Sequence, residues 1–219
     1  MIAYPEVQSR AHAELDEVVG RARPPTFADL SSLPYIRAMV KETLRWSIIV
    51  PFGLPHASSA DDWYEGMFIP KGTICLQNMR VINSETEVFG SDAAQFNPAR
   101  YLDESHQIKV LGGREDGHLS FGFGRRICPG RYVAEGSLAI DFATLLWAMR
   151  FERPEGVHAE LDLRTVVNGG ITAYVVFSYS LFGCVLTYKH SRPVPFEYKA
   201  VPRFSEAEGM LKEALHLHE

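Results

Sequence analysis

Cysteine is scarce in this chain of 219 residues: Cys75, Cys128 and Cys184 are odd in number and far apart. They make neither a disulfide framework nor the paired-cysteine box of a structural zinc, and they fit a reducing compartment. A basic excess is also lacking. The 22 Lys and Arg face 27 Asp and Glu, and a formal charge of -5 argues against a general nucleic-acid or acidic-membrane binder. No secretory signal is legible at the start, where Met1 to Tyr4 run straight into Pro5, Glu6 and a polar periodic stretch, so the sequence reads as beginning inside a domain. Internal repeats and low-complexity tracts are missing, and 46% hydrophobic against 22% charged residues is the composition of a chain with a core rather than a disordered one. Charge itself disappears from Thr165 to Tyr188, 24 positions that could cross a bilayer.

What is present begins with helical periodicity. Pro5 suits a first helical turn, and Val7, Ala11, Leu15, Val18 and Val19 recur at helical spacing, which predicts a helix over 5–19. A connector with Pro24 and Pro25 follows, then a helix over 34–46 opened by Pro34 and carrying Ile36, Met39, Val40 and Leu44. Pro51 and Pro55 forbid a long continuation. The stretch 63–77 reads as one small β hairpin turning at Pro70-Lys71-Gly72. Residues 83–130 are a meander dominated by turns, uncommon in a compact domain unless functional. A helix over 131–149, with Ala134, Leu138, Phe142, Leu145 and Met149 on one face, leads to a β-rich tail and a helical end.

The richest chemistry lies at the end of the meander. Cys128 precedes Pro129, which could occupy the first turn of the following helix, and Arg125, Arg126 and Arg131 are near. These surroundings favour a thiolate, a good axial ligand for iron. Gly122, Gly124 and Gly130 remove side chains so that a broad flat partner can approach the backbone. A phosphate cradle is the competing reading, but Ile127 stands where a dinucleotide fingerprint needs its third glycine. Cys75 and Cys184 read as small buried hydrophobes.

Phe121, Gly124, Arg126, Cys128 and Gly130 match, at every spacing, the haem-binding signature of the cytochrome P-450 superfamily, and the chain resembles a microsomal, fungal-type member. Two upstream motifs stand in the family's order. Glu42 and Arg45 share a helix face as in its Glu-x-x-Arg element; alone, such a pair is usually a solvated ion pair. Phe96 to Tyr101 resembles the Pro-Glu-Arg-Phe segment, with Ala99 replacing the usual glutamate and Arg100 supplying the arginine of a Glu-Arg-Arg network. The resemblance implies the carboxy-terminal, haem-binding part of that fold: mainly α with small β-sheets (α+β), a single partial domain over 1–219. It further implies haem b (iron protoporphyrin IX) ligated by Cys128, propionates held by His56 and Arg126, and a substrate pocket bordered by Ile48, Ile49 and Val50, for which an ordinary core segment is an equal reading.

For the parent, the resemblance implies a monooxygenase that inserts one oxygen atom from O2 into a lipophilic small molecule. Electrons would come from NADPH through a reductase docking near Arg125 and Arg131, with no nucleic acid involved. It implies residence on the cytosolic face of the endoplasmic reticulum, through an N-terminal anchor belonging to the parent. The resemblance covers about the last two-fifths of a typical member, without the central helix whose acid-alcohol pair delivers protons, so the isolated chain is expected to be inactive. The alternative is a non-catalytic fragment that at most binds haem or a partner.

Within the uncharged run, Gly170-Ile171-Thr172 and Arg192-Pro193-Val194-Pro195-Phe196 resemble adjacent pieces of the family's carboxy-terminal region, separated here by the 18 residues 173–190. Codons for Ala173-Tyr174-Val175 can contain a splice donor, those for Leu186-Thr187 a branch site and those for His190-Ser191 an acceptor. The segment therefore reads as a translated intron; a small membrane protein spanning 171–188 is the competing reading.

Overall fold

Prolines mark where the first two helices begin. In a computed structural model, which describes residues 1–111, 117–155, 166–168, 191–193 and 197–216, Pro5 opens α1 (Pro5–Val18) and Pro34 opens α2 (Pro34–Trp46). At both places the missing amide hydrogen costs nothing, because first-turn amides have no partner inside the helix. The free amides of Tyr35 and Ile36 are met from outside α2: they donate to the Glu14 carboxylate of α1 at 2.7 and 2.9 Å. Burial raises the Glu14 pKa above its ordinary value, although these two bonds and Arg10 oppose the shift.

Helix α1 buries Val7, Gln8, Ala11 and Leu15, one stripe four residues apart, and α2 is buried on most of its circumference. The third long helix, α5 (Arg131–Ala148), crosses both. Its buried residues are Ala139, Ala143, Leu146, Trp147 and Ala148, while Leu145 is exposed. The core-facing stripe is thus rotated from the one the periodicity suggested. A helix apolar nearly all round gives no periodic contrast from which to pick a face. Trp147, fully buried, donates its indole N–H to the Gly20 carbonyl at 2.7 Å and meets the Phe204 ring edge-on at 4.9 Å.

Short elements fill the space between α2 and α5. Strands β1 (His56–Ala57), β2 (Asp62–Tyr64), β3 (Met67–Ile69) and β4 (Ile74–Cys75) form two antiparallel pairs, β1 with β4 and β2 with β3. The single hairpin expected over 63–77 is therefore two nested pairs. The tight reversal lies at Glu65 and Gly66, both at positive φ (48° and 79°), as a two-residue hairpin turn requires. The Pro70–Gly72 turn instead carries the chain back to β1, and Cys75 is exposed rather than a buried hydrophobe because β4 is a two-residue strand with no layer packed over it. One-turn helices α3 (Met79–Ile82) and α4 (Thr86–Phe89) and 3-10 turns at Pro98–Tyr101 and Gly124–Arg126 make up the meander.

After α5, β5 (Met149–Glu152) pairs antiparallel with β8 (Lys199–Pro202), and β6 (Val166–Asn168) pairs with β7 (Ser191–Pro193). Across β5, the Gln8 side chain of α1 accepts from the Phe151 amide at 2.7 Å and donates to the Phe151 carbonyl at 3.0 Å. Helix α6 (Ala207–His216) ends the described chain and adds Ala207 to the core. Among the described residues no helix is long and apolar enough to cross a membrane. Residues 173–190 and Cys184 lie outside the described residues.

Candidate cofactor site

Glu42 and Arg45 sit on the last turns of α2, where three residues of helix bring them onto one side. That side is covered by the meander, so the pair is buried, at 0% and 1% exposure, rather than solvated. Arg45 donates to the Glu42 carboxylate from Nε at 2.7 Å and Nη2 at 2.8 Å. Its remaining N–H groups donate to the carbonyls of Asn83 and Ala93, each at 2.8 Å, and of Gln95 at 3.1 Å. Such a fork needs arginine, because a lysine ammonium cannot span a carboxylate and three carbonyls.

Arg100 completes the cluster. Its Nε donates to Glu42 Oε1 at 3.1 Å, and its Nη groups reach the Asp92 carboxylate at 3.0 Å and the carbonyls of Phe89, Asp92 and Gln95. Glu42 also accepts the Asn97 amide at 2.7 Å. Burial alone would lower the Arg100 pKa, but Glu42 and Asp92 outweigh it and the net shift is upward. The Asp92 carboxyl is held below its usual range, chiefly by the Asn97 side-chain amide and then by Arg100. Ala99 presents no carboxylate to this cluster; its amide donates to Asn97 Oδ1 at 3.1 Å. Sequence reading missed Asp92, whose only legible signal is its position eight residues before Arg100.

The loop carrying Cys128 is fastened to this cluster by Asn83, a second residue that sequence reading missed. Asn83 is fully buried. Its side-chain oxygen accepts from the Leu119 amide at 2.9 Å and its nitrogen donates to Ser120 Oγ at 3.0 Å. The Ser120 hydroxyl in turn donates to the Leu44 carbonyl of α2 at 2.6 Å. His118 is buried beside them, its Nε2 3.9 Å from the Glu135 carboxylate and its ring 5.9 Å from that of Phe121.

From there the loop turns twice through glycine. Gly122 (φ 76°) and Gly124 (φ 65°) take the left-handed conformation, and a Cβ on either would meet nothing within 4 Å. Their requirement is conformational, and the space beside them is open. The Cys128 amide donates to the Phe121 carbonyl at 2.9 Å, closing the loop. Cys128 is exposed and free, and a Cβ on Gly130 would lie 3.8 Å from its sulfur. Pro129 falls outside α5: the N-cap is Gly130 and the first helical residue is Arg131. The thiol thus stands just ahead of a helix start whose Gly130 offers no side-chain cap.

The other residues singled out from sequence lie on the segment leading away from α2. Ile48 and Val50 are half-buried and Ile49 is 53% exposed. His56, on β1 opposite Cys75, and Arg126, on the loop's 3-10 turn, are exposed, and among the described residues no hydrogen bond or ion pair joins them. An exposed thiol, two open left-handed glycines and exposed cationic or donor side chains suit a flat, anionic, iron-bearing macrocycle. Phe52 and Leu54 on the segment after α2, and Phe123 and Val133 on either side of Cys128 in sequence, are each about half exposed or more.

The cytochrome P450 family model matches residues 1–174. A cytochrome P450 monooxygenase of Armillaria gallica is 47% identical over 99% of this chain and 39% of its own length. Cytochrome P450 monooxygenase 58 of Postia placenta is 42% identical over 96% of the chain and 37% of its own. The cytochrome P450 monooxygenase iboC of Amanita muscaria is 36% identical over 99% and 44%. The chain therefore spans about two-fifths of the length of the curated relatives it matches. With a family match over most of its residues and a cysteine loop set ahead of a long helix, the chain belongs to the cytochrome P450 family.

Proposed function

We propose that this chain is the haem-binding portion of a monooxygenase and that Cys128 is the protein's only ligand to the iron. Thiolate-ligated haem would supply the oxidising chemistry, one atom of O2 entering a C–H bond of a lipophilic substrate and the other leaving as water with two electrons from NADPH and two protons. The chain's part is to hold and shield. Cys128 offers sulfur from a loop closed by its own amide, Gly122, Gly124 and Gly130 leave room for the macrocycle, and Arg126 with His56 neutralises its carboxylates. Phe121 packs the loop from below against His118. Ile48, Ile49 and Val50 border the substrate side. Glu42, Arg45 and Arg100 hold the scaffold from which the loop hangs.

The observation that carries this reading is the exposed thiol of Cys128 on a loop with two left-handed glycines, immediately before α5. In the full-length protein, the reduced carbon-monoxide adduct is expected to show the red-shifted absorption of thiolate ligation, and Cys128→Ala is expected to abolish it. An unchanged spectrum in that variant overturns the assignment.

The reading extends to partners and setting. An NADPH-dependent reductase would dock on the cysteine side, where Arg125 is exposed. The full-length protein would sit on the cytosolic face of the endoplasmic reticulum. Because the chain spans two-fifths of its relatives, we further propose that alone it binds haem weakly and does not turn over. Residues 173–190 are proposed to be translated intron, and the family match ends within their first two residues, at residue 174.

A further inference from the structure

We infer that Asn83 and Ser120 form a clasp that positions Cys128, a role that rests on the haem-thiolate reading above. The two residues are 37 apart in sequence and belong to neither the Glu42–Arg45–Arg100 cluster nor the cysteine loop's glycine turns.

A fully buried asparagine is tolerable only if its polar groups are satisfied, and here they are used on three segments of the chain. The backbone amide donates to the Met79 carbonyl at 2.9 Å and the backbone carbonyl accepts Arg45 Nη1 at 2.8 Å. The side chain takes the Leu119 amide and gives to Ser120. Ser120 then donates to the Leu44 carbonyl, one of the last four carbonyls of α2, which have no partner within the helix. Asn83 thus ties the guanidinium of Arg45, held by its backbone carbonyl, to the first residues of the cysteine loop, held by its side chain.

The tie reaches the sulfur through one peptide. Phe121 follows Ser120 directly, and its carbonyl accepts the Cys128 amide at 2.9 Å. Between those two points a Cβ on Gly122 or Gly124 would meet nothing within 4 Å, and the turn is held by its own backbone bonds, Gly122 N–H to the Leu119 carbonyl at 2.8 Å and Ile127 N–H to the Gly124 carbonyl at 3.2 Å. The loop's placement is therefore set at its ends. One end is the helix start at Gly130; the other is the clasp. Removing the Asn83 side chain frees the Leu119 amide and leaves Ser120 held to Leu44 alone, and removing the Ser120 hydroxyl cuts the loop's tie to Leu44 and to Asn83 Nδ2; either lets the Phe121 carbonyl and the Cys128 amide drift as a unit. The helices keep their own hydrogen bonds and need not change.

The test uses the full-length, haem-loaded protein and three variants, Asn83→Ala, Ser120→Ala and Ser120→Thr. Hydrogen exchange, read at the amides of Leu119 and Cys128, is expected to quicken about tenfold or more in both alanine variants, while amides in the middle of α5 stay within about twofold. In the same variants, part of the reduced carbon-monoxide adduct is expected to move from the thiolate band to the unshifted position of a neutral ligand, at unchanged haem content. Ser120→Thr, which keeps the hydroxyl, is expected to restore both. Exchange at Leu119 and Cys128 that stays at the wild-type rate in Ser120→Ala overturns the clasp. Faster exchange with an unchanged spectrum overturns the positioning role and leaves Asn83 as an ordinary core amide. If Asn83→Ala does not fold, the serine pair decides alone. Failure of the haem-thiolate reading is seen separately, as a Cys128→Ala spectrum identical to wild type.

Discussion

Replacing Glu42 by glutamine removes one charge from the interior while keeping the shape that fills it. In the native cluster two carboxylates, Glu42 and Asp92, balance two guanidinium groups, Arg45 and Arg100. Of the carboxylates only Glu42 is fully buried; the Asp92 side chain is 36% exposed and less able to compensate. Glu42 accepts four N–H groups within 3.1 Å, three of them from the arginines. A glutamine oxygen can keep at most some of these, and its NH2 group must face a guanidinium. The variant therefore leaves one uncompensated positive charge at a site buried from solvent. Breaking a buried ion pair in this way costs about 3–5 kcal/mol. In urea, with a slope of about 1–3 kcal/mol/M, the midpoint should fall by at least roughly 1 M in the full-length protein. The internal control is Arg23→Ala, which removes a bidentate pair with Asp29 in similarly short contact, 2.7 Å, but with the arginine side chain 51% exposed. Solvent screens that pair, and no measurable shift is expected. A Glu42→Gln midpoint indistinguishable from that of Arg23→Ala would refute the argument that burial, not pairing, gives the cluster its weight.

Trp147→Ala, which empties the space between α5 and Phe204 and strands the Gly20 carbonyl, should destabilise by about 3–5 kcal/mol, measured by the same urea titration. Gly117→Ala should also destabilise, because Gly117 has φ 70° and a Cβ there would lie 2.5 Å from Cε1 of the buried Tyr101; wild-type stability would contradict the packing described. His12 is held at about pKa 4 by burial and then Arg203, against the opposing Met149 carbonyl and Asp16. The unfolded chain therefore takes up that proton first, so stability is full above the ordinary value of 6.5 and is lost as pH falls through 4. His12→Gln should flatten that loss between neutral and acid urea midpoints. Deleting residues 173–190 from the full-length protein should raise soluble yield and haem incorporation; mature transcripts that all retain these codons would end the intron proposal.

Much of the helical frame was legible because it rests on local signals. Pro34 and the apolar spacing behind it locate α2 over its full length, and α1 ends one residue before the pattern suggested. The glycine-cysteine spacing of the loop was legible for the same reason, since each glycine answers a local backbone need at Gly122 and Gly124. What depended on distant partners was not. The reversal at Glu65-Gly66 lost to the stronger-looking Pro70-Lys71-Gly72, because a strand's partner, here β1 for β4, is chosen by the sheet. The buried face of α5 was misread because its sequence has little polar contrast. Asn83 and Ser120 gave no signal at all, and Asp92 only its spacing from Arg100: single polar residues in turns are ordinary, and only the fold brings the first of them onto Arg45 and the loop at once.

The exchange of two hydrogen bonds between Gln8 and Phe151 has a consequence for how the chain behaves among its own copies. β5 is paired on one side by β8; among the described residues no strand pairs with its other side, the kind of edge where two molecules can add strand to strand. At Phe151 that edge is already taken, because the glutamine amide presents one donor and one acceptor at strand spacing and mimics a single residue of a third strand. A side chain from a helix thus serves as a blocked terminus for the sheet. Gln8→Leu would keep the packing of α1 and uncover the edge at Phe151, turning it into a template for self-association.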